Sequence, residues 1–87
     1  MDLDKIKKFI QQCESAIKTG SHTPEEIAVE AKKTLPMLVL TGLKMQTSGK
    51  EVANRLKPLY KTWGFDISLL EANTAWLGEM LTALKTK

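Results

Sequence analysis

Eighty-seven residues, 43% hydrophobic and 26% charged, make one globular domain spanning 1–87 and exclude a disordered chain. A net charge of +3 is too mild to imply nucleic acid by itself, and a single cysteine excludes a disulfide framework within the chain. Met1-Asp2-Leu3-Asp4-Lys5 carries acid where a signal peptide is basic, and the longest apolar run, Leu35 to Leu40, is broken by Pro36 and too short to span a membrane, so the expected location is cytoplasmic.

Leu3, Ile6, Ile10, Cys13 and Ile17 recur at intervals of three and four, which predicts an amphipathic helix over 3–18. Phe9 and Ala16 widen its stripe. Asp2 and Asp4 suit the positive end of its dipole and Lys18 the negative end. Gly20 should stop it. Thr23-Pro24-Glu25-Glu26 then reads as a capping box with proline at the first helical position. Ile27, Ala28, Ala31 and Leu35 share the inner face of the second helix, and Pro36 ends or kinks it. Met37, Leu38, Val39 and Leu40 are apolar in every helical direction, which predicts a short helix over 36–46, buried on all sides.

Ser48-Gly49-Lys50-Glu51 is a second capping box, opening a helix that runs to Trp63. Val52, Leu56, Leu59 and Trp63 should face inward, Lys50, Asn54, Lys57 and Lys61 outward, and Pro58 should bend it. After Gly64, Ser68-Leu69-Leu70-Glu71 reads as a third box, opening a helix over 69–85. Leu69, Leu70, Trp76, Leu77, Met80, Leu81, Ala83 and Leu84 cover about half its circumference, so it should be the central element. Asn73 falls inside that arc and should bond a carbonyl freed at Pro36 or Pro58. The expected fold is all-α, a compact bundle of four longer helices plus one short buried helix.

Candidate chemistry is sparse. His22, the only histidine, sits in a polar connector with no reacting group nearby in sequence. Cys13 lies on the apolar stripe of the first helix and reads as a core filler. Glu26, Glu51 and Glu71 are explained as capping residues, Glu30 and Glu79 as solvated ones. No catalytic, metal-binding or cofactor-binding residue is therefore assigned, and the expectation is that the chain is not an enzyme.

The strongest functional lead is the basic stripe Lys50, Lys57 and Lys61, with Arg55 at its flank. Such a face suits an acidic protein surface or nucleic-acid phosphates. Tyr60 and Phe65 are candidate apolar anchors beside it, since tyrosine is enriched at interface hot spots. A helix-turn-helix does not fit: the helix that would read bases, Ser68 to Leu84, contains no Lys or Arg. The expected function is protein–protein binding by a small accessory, inhibitor or immunity-type module; the alternative is nucleic-acid backbone binding through the same basic face. In size and build the chain resembles small helical accessory proteins of phage, plasmid or bacteriocin systems, bacteriocin immunity proteins among them. That likeness involves no shared motif.

Overall fold

The cap signals translate into helix boundaries. The structure, a computed structural model, describes residues 3–86, and these form six helices and no strand: α1 Leu3–Thr19, α2 Pro24–Thr34, α3 Met37–Lys44, α4 Gly49–Thr62, α5 Ile67–Ala72 and α6 Thr74–Lys85. Asp2, assigned above to the dipole of the first helix, lies outside the described residues. Gly20 ends α1 with φ 66°, and its N–H donates to the Ala16 carbonyl at 2.8 Å. This left-handed conformation is one that only glycine adopts readily. At Thr23 both halves of the capping box form: the Glu26 N–H donates to Thr23 Oγ1 at 3.2 Å, and the Thr23 N–H to Glu26 Oε1 at 2.8 Å.

The other two boxes differ. Ser48 Oγ accepts from the Glu51 N–H at 3.2 Å, but the Glu51 carboxylate reaches past Ser48 to the Thr47 N–H and Oγ1, both at 2.8 Å. Ser68 is not a cap. Asp66 takes that role, accepting from the Ser68 N–H at 3.0 Å and the Ser68 hydroxyl at 2.6 Å, so α5 starts earlier than expected. Aspartate serves at least as well as serine there.

The expected last helix is two helices. At Asn73 the backbone leaves helical geometry (φ −124°, ψ 37°), and the side-chain amide donates to the Leu69 carbonyl at 2.9 Å. An asparagine side chain competes with the backbone for such carbonyls, which favours a break over a continuous helix. Asn73 therefore satisfies a carbonyl in the turn before its own break, rather than one at Pro36 or Pro58. α4 runs through Pro58 to Thr62, close to the expected end at Trp63.

The core draws on all six helices, from Ile6, Phe9, Ile10 and Cys13 of α1 to Leu77, Met80, Leu81 and Leu84 of α6. The molecule is compact, 28 × 27 × 23 Å. α6 packs chiefly against α2 and α4 and also touches α3, which matches the breadth of its apolar arc. Lys32 of α2 reaches across to its end, with Nζ donating to the carbonyls of Thr86 at 2.7 Å and Ala83 at 3.4 Å. A cation there also opposes the negative end of the α6 dipole.

α3 is not buried on all sides. Leu40 and Leu43 enter the core, whereas Met37 and Leu38 face outward. An eight-residue helix has one side against its neighbours, and a uniformly apolar sequence leaves the other side bare.

α4 meets α6 at Gly49. A Cβ there would lie 1.8 Å from the Thr74 carbonyl oxygen and 2.6 Å from the Gly78 N, both rigid backbone atoms. A Cβ at Gly78 would instead sit 3.6 Å from Gly49, an ordinary contact. Gly49→Ala should therefore force the helices apart and cost about 2–4 kcal/mol. Gly78→Ala should be neutral or stabilising by up to about 1 kcal/mol, since alanine is the better helix former. Urea unfolding of the two variants checks the contrast.

Candidate functional site

α3 has only two polar residues, Thr41 and Lys44, so its sequence lacks the polar face that a surface helix normally carries. The helical period puts Leu40 and Leu43 inward. Met37 and Leu38 occupy the other side at 76% and 74% exposure, and Met45, directly after the helix, is 75% exposed. Large exposed apolar side chains in one neighbourhood make this side of α3 the candidate site. Beside it runs a cleft of about 260 Å³ between α3 and α4, lined by Ile6, Leu38, Val39, Leu43, Arg55, Leu56, Pro58 and Leu59. Leu38 belongs to both, so cleft and exposed face are one continuous surface.

Among the described residues, Arg55 is the only charged one lining the cleft. Its guanidinium lies against α3 where Gly42 has no side chain: a Cβ on Gly42 would come 2.6 Å from Arg55 Nη2 and 3.3 Å from Cζ. Among the described residues no carboxylate is within ion-pair distance of Arg55. Glu51, one turn earlier on α4, would be its ordinary helical partner. The two Thr47 hydrogen bonds hold that carboxylate instead, and they keep its pKa below the usual range.

The structure divides the basic residues read as one face. Lys50, Lys57 and Lys61 lie on the flank of α4 toward α5, where Lys57 Nζ pairs with Glu71 Oε2 at 3.3 Å. Lys50 and Lys57 line a shallow depression with Asn54, Glu71 and Thr74. Arg55 is on the other flank, toward α3.

Tyr60 corrects the expected anchor: it is 0% exposed and belongs to the core. The reason lies in the turn after α4. Gly64 (φ 74°) allows the Phe65 N–H to donate to the Tyr60 carbonyl at 2.9 Å and the Gly64 N–H to the Lys61 carbonyl at 3.3 Å, which is a Schellman motif. Its usual apolar contact is here the edge-on packing of Phe65 against Tyr60, with ring centroids 5.6 Å apart. Phe65 is half-buried.

Cys13 is buried as expected, next to Tyr60. The Tyr60 hydroxyl has no hydrogen bond of good geometry among the described residues; the neighbouring thiol is a weak partner. Burial pushes the Cys13 thiol up to about 12, and the nearby Glu14 charge adds to the rise. Burial likewise pushes the Tyr60 hydroxyl up. His22 is exposed, at the edge of a polar depression with Gln12, Glu26, Val29 and Glu30. Among the described residues no three His, Cys, Asp or Glu side chains converge as metal ligands, and no helix is long and apolar enough to cross a membrane.

No protein-family model, curated protein or solved structure matches the chain at a significant level. The site is therefore read from its own chemistry. The bare side of α3 departs from the expected full burial, although the signal is in the sequence: apolar groups in all directions of an eight-residue helix exceed what one packing face can cover.

Two outcomes follow from the Cys13–Tyr60 pair. An unfolded thiol ionises near 9.0 and the folded one only near 12, so between these values the unfolded state binds fewer protons. Stability should therefore fall as pH rises through that window, by up to about 1.4 kcal/mol per unit for this group. Cys13→Ala should flatten the slope of unfolding free energy against pH. Tyr60→Phe removes a buried hydroxyl without a good partner and should be neutral or stabilising by about 1 kcal/mol at pH 7. Loss of stability in Tyr60→Phe would show that the hydroxyl is satisfied after all.

Proposed function

We propose that this chain is a non-enzymatic protein-binding module that docks through the outward face of α3 and the adjoining α3–α4 cleft. The observation behind this reading is the exposure of Met37, Leu38 and Met45 on one side, continuous with the cleft. Exposed apolar groups lose solvent contact when a partner covers them, at about 25 cal/mol per Å². The cleft is smaller than the about 300–1,000 Å³ typical of small-molecule sites and better suits one anchoring side chain of a partner. The basic surroundings, with Lys44 on α3 and Arg55 on α4, favour an acidic partner. The work of such a module, as accessory, inhibitor or immunity-type protein, is done by occupying its partner and lies in the cytoplasm on this reading.

A second reading, nucleic-acid backbone binding, is favoured by the exposure of Lys50 and Lys61 on the other flank of α4. It is weakened by Glu71, which already pairs with the third lysine of that stripe.

A photo-reactive residue replacing Leu38 should give a discrete cross-linked product in the cell of origin, whereas one replacing Lys61 should not. Leu38→Ser combined with Met45→Ser should abolish association while leaving the melting temperature within a few degrees, because neither side chain is in the core. Cross-linking from Lys61 alone, or salt-sensitive retention on DNA that Lys50→Glu/Lys61→Glu removes, would transfer the function to the lysine flank.

A further inference from the structure

Arg55 stands where a helix ordinarily supplies its own counter-charge, yet among the described residues it pairs with none. Glu51 is four residues before it, the spacing that lets a carboxylate and a guanidinium meet on one helix face. That carboxylate is instead held by the Thr47 N–H and hydroxyl at 2.8 Å each. The guanidinium lies against Gly42, at the rim of a cleft whose other described lining residues are apolar. A planar donor group next to apolar walls matches a ligand that has an apolar side chain and a carboxylate close together.

We infer that the partner presents an acidic amphipathic segment, which places a large apolar side chain in the α3–α4 cleft and a carboxylate on Arg55, with Gly42 positioning the guanidinium. This rests on the reading of α3 as the docking face. Charge selects this occupant over a second copy: two chains joined through this face would set Arg55 and Lys44 against the same residues of the other chain, with no acid among the cleft-lining residues to offset them. Gly42 also supplies an internal test. Its Cβ would collide only with the far end of a flexible side chain, so Gly42→Ala should fold normally and displace the guanidinium.

The probe is a phage-displayed library of random short peptides, selected on the immobilised chain and counter-selected on Leu38→Ser/Met45→Ser. Enriched peptides should combine a large apolar residue with an Asp or Glu. Changing that acid to its amide should weaken binding about tenfold or more. Arg55→Gln should bind acid and amide peptides alike, and Gly42→Ala should narrow the difference without lowering the melting temperature.

Enriched peptides that lack an acid, or that bind Arg55→Gln as tightly as the native chain, overturn the carboxylate inference and leave the α3 docking reading standing. Selection that enriches nothing able to distinguish the native chain from Leu38→Ser/Met45→Ser overturns both. Two further results overturn the acidic segment as occupant. One is a concentration-dependent dimer that Leu38→Ser dissolves in analytical ultracentrifugation. The other is co-sedimentation with phosphatidylglycerol vesicles that Leu38→Ser/Met45→Ser abolishes.

Discussion

The close approach of α4 to α6 at Gly49 sets the rest of the packing. With no side chain at that point, the start of α4 rests directly on the Thr74 carbonyl and the Gly78 amide. Ala53, one turn on, is also small and buried. Two small residues in succession draw the helix axes together and turn α4 about its own axis. Its buried arc then runs through Val52, Ala53, Leu56 and Tyr60, while Leu59 and Trp63 are only partly covered. That rotation carries Tyr60 into the core and leaves Leu59 to line the cleft beside α3. The break at Asn73 belongs to the same arrangement, because it allows α6 to start at Thr74, against Gly49, in a direction independent of α5.

The corner after α4 fixes this rotation. The Schellman hydrogen bonds at Gly64 bring the chain back over Tyr60, and the Phe65 ring closes on the tyrosine edge-on. An aromatic pair in this geometry contributes about 0.5–1.5 kcal/mol beyond its buried area. The phenol hydroxyl enters the core with it. A residue chosen for its ring thus brings a polar atom to a place that offers only a thiol.

Much of the fold was legible in the sequence, for reasons that are local. The Thr23 box, the Gly20 and Gly64 stops and the middle of the α1 stripe, Ile6 to Cys13, depend on residues within a turn or two of one another; Leu3, at the start of that stripe, is instead exposed. The inner face of α4 was misjudged because hydrophobic pattern gives weight to Leu59 and Trp63 and little to Gly49 and Ala53. Small residues contribute their effect through proximity, which a pattern of large apolar groups does not register. The third capping box failed because Asp66 and Ser68 offer competing caps two residues apart. Of the expected site residues, Arg55 borders the candidate surface, whereas Lys50, Lys57 and Lys61 lie on the far flank and Tyr60 lies inside. Which side of α3 stays bare depends on how many neighbours reach it, and that is settled by the tertiary arrangement of α1, α4 and α6.

The exposed methionines of the α3 surface give it a chemical vulnerability that the core does not share. Met37 and Met45 project into solvent, while Met80 is sealed within the bundle. Peroxide reaches thioethers in order of access, and a sulfoxide is polar where the thioether was apolar. Mild oxidation would therefore turn the exposed side of α3 hydrophilic while the folded bundle beneath it stays intact, and methionine sulfoxide reductase could restore it.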